Sequence, residues 1–241
     1  MPHIFSKISD WFETPSKVVG EHGLLRAEID KLLRLSQQVL RANVESPVWS
    51  REVLLRLTKM QQQLEQFADG RIHFDATETW RSAYEEVLSQ CKAKRYLSAA
   101  MVRNEDYWQD TPGQKSLQFN TQLVERGFYI HRMMIIDEFL WPPAAKVPGE
   151  PLMRWALEQH TAGIQIGLIR MCELEEEPDL LCDFGIYGCE AIGYQHTDMQ
   201  SRTLSFDLSF APSELRKGED RWKRLSLYAH PFEQIQQMQM L

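Results

Sequence analysis

Arg132 makes the strongest chemical demand in this chain. It stands in the run Phe128 to Ile136 (Phe-Tyr-Ile-His-Arg-Met-Met-Ile-Ile), which is rich in strand formers, beside His131 and shortly before Asp137-Glu138. A guanidinium in such a run must reach solvent or find an anion, because an unpaired buried charge is very costly. Two arrangements meet that demand: an internal salt bridge to a carboxylate such as Asp183, or a bound phosphate or carboxylate ligand. Strand alternation puts His131 and Arg132 on opposite faces.

Four further residues join Arg132 as ligand-binding candidates. Asp183 ends a hydrophobic strand-like run before Phe184-Gly185, near a sheet end where pockets form in α/β folds, and reads either as a ligand contact or as a turn-capping, Arg-pairing aspartate. Asn104 opens Asn104-Glu105-Asp106-Tyr107-Trp108, a loop after a strand, where ligand-binding groups concentrate. Tyr107 and Trp108 there suit stacking on a base, a protein hot spot, or pinning the loop to the body. Asn120 and the Gln159-His160 pair are polar residues near apolar helix faces. No catalytic residue is assigned, since nothing in the spacing of these groups specifies a reaction.

Several classes are set aside for lack of their motifs. Gly-x-Ser-x-Gly, Gly-x-x-x-x-Gly-Lys-Ser/Thr and Gly-x-Gly-x-x-Gly are all absent, which removes serine hydrolase, kinase, P-loop and dinucleotide readings. Cys91, Cys172, Cys182 and Cys189 form no Cys-x-x-Cys pair and have no paired histidine spacing, so neither a metal nor another cofactor is expected. Cys172, Cys182 and Cys189 fall in or beside apolar runs and are expected to be buried free thiols in a reducing compartment.

With a hydrophobic content of 43% and a charged content of 25%, the chain has the composition of a folded globular protein. Its net charge of -7 argues against an extended nucleic-acid surface, so nucleic acid is not an expected partner. No apolar stretch approaches the ~20 residues that cross a bilayer, and the first residues lack a secretory pattern, which makes the cytoplasm the expected location.

These groups are positioned by two regions, residues 1–70 and 71–241. In the first, Ile4, Ile8, Trp11 and Phe12 share a helical face with Lys7 as its sole base, which suits docking on protein more than on anionic lipid. Leu25, Ile29, Leu32, Ser36 and Val39 then form one coiled-coil-like seam, and Val53, Leu57, Met60, Leu64 and Phe67 a second, joined through Pro47 with Ser46 or Ser50 as a cap. Each seam is about two heptads, too short to stand alone. The pair is expected to be an N-terminal helical hairpin, closed on itself or serving a protein partner or self-association.

A short connector, residues 71–75, leads to a helix capped by Thr77 with Trp80, Ala83, Tyr84, Val87 and Leu88 on one face. Strands follow at 96–102, 128–136, 164–171, 180–186, 190–194 and 203–210. Helices are expected at 116–126 and 152–160, and a last one from Ser213 as its cap. The acidic run Glu173 to Asp179 reads as an exposed turn, and the tail after His230 as frayed or one short helix. This is an α/β fold, a mixed sheet covered by helices, parallel in its first half and antiparallel in its second.

The order of these elements, with Gly163-Ile164-Gln165-Ile166-Gly167-Leu168-Ile169-Arg170, then Asp179-Leu180-Leu181-Cys182-Asp183-Phe184-Gly185-Ile186-Tyr187-Gly188, then a strand and a closing helix, resembles one half of the phospholipase D superfamily over roughly Trp80 to Tyr228. In that family paired His-x-Lys motifs supply a histidine nucleophile and phosphate-binding lysines. None of the seven histidines here opens such a motif: His131 is followed by Arg132-Met133 and His196 by Thr197-Asp198. The resemblance therefore implies a degenerate member that kept the scaffold, a non-catalytic regulatory or interaction module of bacterial type. The other reading is a sensor or enzyme that takes a nucleotide or another small phosphorylated ligand in a sheet-end pocket.

Overall fold

The computed structural model describes residues 21–42, 44–75, 80–106, 109, 111–198 and 202–239. The expected face at Ile4 to Phe12, the Thr77 cap and the Tyr107-Trp108 aromatics lie outside the described residues. By its contacts the chain divides into two compact units, Met1–Thr58 and Lys59–Leu241.

Two helices open the described chain, α1 (Glu21–Arg41) and α2 (Pro47–Ala68). Ser46 caps α2: the Trp49 amide donates to its hydroxyl at 3.3 Å, and Pro47 takes the first helical position, where a missing N–H costs nothing. Ile29, Leu32, Ser36 and Val39 on α1, with Val53 and Leu57 on α2, are half-buried, but no described side chain of either helix is fully buried. Leu25, Met60, Leu64 and Phe67, the remaining members of the seams, stay exposed.

The second unit holds one eight-stranded mixed sheet. Its elements are β1 (Arg71–Asp75), α3 (Trp80–Gln90), β2 (Arg95–Val102), α4 (Thr111–Glu125), β3 (Tyr129–Ile136), α5 (Glu150–Thr161), β4 (Gln165–Arg170), β5 (Asp183–Tyr187), β6 (Ala191–Thr197), β7 (Thr203–Ser209), α6 (Pro212–Leu225), β8 (His230–Pro231) and α7 (Phe232–Gln239). The spatial order is β1-β7-β6-β5-β2-β3-β4-β8. Strands β2, β3 and β4 pair in parallel, with α4 and α5 as the crossovers parallel pairing requires. Strands β5, β6 and β7 run antiparallel through short connections, and β5 joins β2.

Several local expectations give way. Residues 71–75 are an edge strand antiparallel to β7 rather than a connector, and their alternating burial fits a strand with one covered face. The run from Leu180 is interrupted by a 3-10 turn at Pro178–Leu180, so Asp183 begins β5 instead of ending a strand. Ser213 does not cap α6; Pro212 occupies its first turn, with Ala211 ahead of it. The acidic run is only partly an exposed turn, since Leu174 and Leu180 are buried and Arg224 clamps both Glu177 and Asp179. The tail closes the sheet through β8, and α7 buries Phe232 and Ile235. Cys172 and Cys182 are half-buried and Cys189 is exposed, because they sit at strand ends and a turn; Cys91 is the buried one, and all four are free. No described helix is long and apolar enough to cross a membrane.

Because side chains alternate along a strand, the sheet carries two cores. One includes Tyr96, Ile130, Met134, Leu168 and Tyr187 under α3, α4, α5 and α7. The other includes Leu97, Met133, Ile135, Ile186 and Ile192 beneath Trp222 and Leu225 of α6.

Candidate functional site

The face under α3, α4 and α5 is not completely filled. Ser98 lies in register with Arg132 on β3 and with Gly185 on β5, and Gly185 with Gly193 on β6. This row of small residues makes a depression in the sheet floor. Neither glycine tolerates a side chain: a Cβ on Gly193 would stand 2.3 Å from the Phe206 ring and one on Gly185 2.8 Å from the Tyr187 hydroxyl. The depression opens into a cavity of about 60 Å³. One water needs ~10–15 Å³, so the space takes several waters or a small polyatomic molecule.

Three of the five sequence candidates, Arg132, Asp183 and Asn120, line this cavity together. Arg132 does not bridge to Asp183, and no carboxylate among the described residues lies within ion-pairing distance of it. The register explains this: β2 runs between β3 and β5, and Asp183 is two residues further along. Two strand spacings and two residues put the two Cα positions about 12 Å apart. Arg132 instead donates from Nε to the Ser98 hydroxyl at 3.2 Å and from Nη1 to Oε1 of Gln159, a fully buried glutamine at the end of α5. Neutral partners hold the guanidinium in place and leave its charge uncompensated.

Asp183 is 5% exposed. Its carboxylate accepts the Met101 amide at 2.6 Å and the Thr197 hydroxyl at 3.4 Å. Loss of solvent raises its pKa to about 6, against the opposing effect of those hydrogen bonds and of the nearby Arg103 and His196 charges. Asn120, on the inner face of α4, is 1% exposed, and its Oδ1 accepts no hydrogen bond among the described residues.

Aromatic rings form the rest of the wall. Trp80 stacks on Phe206 at 4.6 Å between centroids and Tyr84 on Tyr187 at 5.5 Å. Burial raises the pKa of Tyr84, Tyr96 and Tyr187, so all three phenols are neutral hydrogen-bonding groups; that of Tyr84 lies 3.4 Å from the Ser116 hydroxyl. Among the described residues, no histidine and no lysine lines the cavity.

The other two candidates lie elsewhere. Asn104 sits in the half-exposed bend after β2, and His160 is in the last turn of α5, its Nε2 3.6 Å from Glu233 and its ring against Phe232. Neither lines the cavity. His131 lies on the opposite face from Arg132, as alternation requires, edge-on to Trp222 at 5.1 Å, and burial lowers its pKa. Among the described residues, no group of three or more His, Cys, Asp or Glu side chains is arranged to hold a metal.

Ser98, Ser116 and Gln195 add to the polar lining, with Gln159 in support of Arg132, without having been singled out as ligand-binding candidates. A signal for Ser98 was present: it is the polar position in Tyr96-Leu97-Ser98-Ala99-Ala100, on the same strand face as Tyr96.

No protein-family model matches the sequence, and no curated protein sequence matches it. Among solved structures, the fold is similar to that of TrmBL2, an archaeal chromatin protein described as showing a novel mode of DNA binding, at a TM-score of 0.41 and 12% identity over 90% of this chain and 74% of that one. It is also similar to Nuc from Salmonella typhimurium, a phospholipase D family member, at a TM-score of 0.46 and 10% identity over 67% of this chain and 96% of that one. NucT from Helicobacter pylori gives a TM-score of 0.46 and 5% identity over 67% and 98%. The resemblance read from the sequence names the same family as Nuc.

Proposed function

We propose that the α/β unit is a non-catalytic binding module that captures a small anionic compound, a phosphate ester or carboxylate, at Arg132. One observation carries this reading: a cation held into a cavity by neutral groups, with no carboxylate of the described residues within ion-pairing distance. Arg132 is half-buried on the cavity wall, so a bound anion would supply the counter-charge that its protein partners do not. The cavity walls supply hydroxyl and phenol groups for orientation, whereas no histidine or lysine is placed to act as nucleophile or general acid. The free cysteines accord with a reducing cytoplasm.

The test is calorimetric titration of the full chain with inorganic phosphate, glycerol phosphate and adenosine monophosphate, followed by the same titrations of Arg132→Gln. A charge-assisted hydrogen bond contributes ~1.5–3 kcal/mol, so the substitution is expected to weaken binding about 10–100-fold. Equal affinities in the two proteins, or no binding by the native chain, would overturn the reading.

The exposed apolar positions of α1 and α2 favour a second element of this function, self-association of the chain through residues 1–70. Leu25, Leu64 and Phe67 are 57%, 42% and 54% exposed, on helices with no fully buried side chain among the described residues. Charging Leu25 and Leu64 together (Leu25→Glu, Leu64→Glu) costs the isolated chain little, since both already face solvent. Sedimentation velocity is expected to show an assembly in the native chain and a monomer in the double variant. The same mass in both would exclude these helices as the contact, and a second protein retained by the native chain but not by the variant would replace self-association with a partner.

A further inference from the structure

The cavity holds more than a cation. Asp183 and the Oδ1 of Asn120 are acceptors that need donors, and they line the same cavity as Arg132. Asp183 receives two hydrogen bonds where a carboxylate has room for about four, and among the described residues no Lys, Arg or His nitrogen comes within ion-pairing distance of it. A bare anion on Arg132 satisfies none of this, because it brings no donor.

Resting on the binding reading above, we infer that the ligand is a small amphoteric molecule, with its phosphate or carboxylate on Arg132 and an ammonium on Asp183 beside the aromatic wall. Each part of the site matches one part of such a molecule. Arg132, with Ser98 beside it, meets the anion; Asp183 supplies the counter-charge for the ammonium; Asn120 accepts a further N–H. Trp80 and Phe206 present ring faces and edges on strands and helix next to Asp183, whose register runs through Gln195 to Phe206, and a cation near such rings gains further stabilisation. A hydroxyl in place of the ammonium would fill the acceptors but leave the carboxylate charge unmatched. The Arg132 and Asp183 Cα positions are about 12 Å apart and both residues line the same cavity, so the two charges of the ligand stand a short alkyl chain apart.

The experiment uses the full chain and two matched series: butyrate, γ-hydroxybutyrate and γ-aminobutyrate for a carboxylate head, and propylphosphonate and aminopropylphosphonate for a phosphate-like one. Near neutral pH the amino member of each series is expected to bind at least about tenfold tighter than its partner without the amine, a difference of ~1.4 kcal/mol; the better series identifies the anionic head. That advantage should vanish in Asp183→Asn, which keeps an oxygen for the Met101 amide, while the Arg132→Gln chain loses both members. Should Asp183→Asn not fold, titration of the native chain at about pH 5 reads the same contact, because Asp183 is then protonated. The other groups facing Asp183 are Arg103, His196 and the Cys182 thiol, and His196 is the histidine among them. His196→Gln therefore accompanies the pH arm, and the loss at low pH must persist in it. If butyrate or propylphosphonate binds through Arg132 and the amine or hydroxyl adds nothing, the simple anion site stands and the amphoteric ligand falls. Equal binding of the hydroxy and amino compounds overturns the ammonium assignment alone, and no binding by any of the five overturns both.

Discussion

The two faces of the sheet treat charge in opposite ways. On the face covered by α6, two arginines end on carboxylates, Arg95 on Glu219 at 2.7 Å and Arg224 on Glu177 and Asp179, while Arg221 rests on the Tyr194 hydroxyl. His131 has no acid there, and its pKa is lowered by burial against Trp222, so it stays neutral instead. On the face covered by α3, α4 and α5, Arg132 ends on neutral oxygens, Asp183 on an amide and a hydroxyl, and Asn120 leaves an acceptor open. Both faces are made from the same strands, one residue out of phase. What differs is the covering layer: α6 seals the centre of its side with Trp222 and Leu225 and leaves a cleft at its edge beside Arg95 and Glu219, whereas the glycines and Ser98 on the other side leave a depression beneath the helices. The unmatched charges, Arg132 and Asp183, share the face under α3, α4 and α5 and mark it as the one that meets a ligand; on the other face the unpartnered Nε of Arg95 belongs to a guanidinium already seated on Glu219.

The largest effect tests the sealed face. Trp222 is 9% exposed and stands over Leu97, Ile135 and Ile186 in the same core, so Trp222→Ala removes a large ring with little chance for the sheet to close the gap. Urea denaturation is expected to show a loss of ~3–5 kcal/mol. A loss below about 1.5 kcal/mol would mean that α6 covers the face without anchoring it, and the contrast between a sealed and an open side would weaken.

Periodicity carried most of the fold. The strands at 96–102, 128–136 and 203–210 are present within a residue at each end, because continuous apolar runs and clean alternation are tied directly to burial. The parallel-to-antiparallel change follows from the connection lengths in the same way. Edge elements were harder to read: Arg71–Asp75 and His230–Pro231 are too short, and too dependent on partners far away in sequence, to announce themselves. At the site, an arginine in an apolar strand was legible as a demand for an anion. The identity of that anion was not, since the Asp183 alternative depended on which strand lies beside β3, and only the sheet order settles that β2 intervenes. Asn120 was legible as a polar residue on an apolar helix face, but its missing donor is a property of packing alone. Asn104 and His160 carried the same kind of signal without the geometry: neither lines the cavity, and His160 sits by Glu233 and Phe232 with its Nδ1 unpartnered among the described residues.

A smaller effect tests the open face through its proton. Asp183 has its pKa raised by burial from 3.8 to about 6, so between those values the folded chain holds a proton that the unfolded chain has released. The folded state therefore gains stability from this group as pH falls: the contribution is fully present below about 4 and is lost as pH rises through about 6. Between neutral pH and about pH 5 the gain is ~1 kcal/mol, from the 1.36 kcal/mol carried by each unit of pKa difference. His73, raised by its hydrogen bond to Asp207, adds stability in the same direction at its own higher range, so a single denaturation curve does not isolate Asp183. The difference between the native chain and Asp183→Asn does, because the amide cannot titrate and still accepts the Met101 N–H. Urea midpoints of the two proteins are expected to converge toward acid and to separate above about pH 6, with Asp183→Asn the more stable at neutrality. A native chain that loses stability relative to the variant on acidification would show that Asp183 is held ionised by partners within the fold. Its charge would then be a structural feature, the open face would be matched after all, and the site would reduce to Arg132.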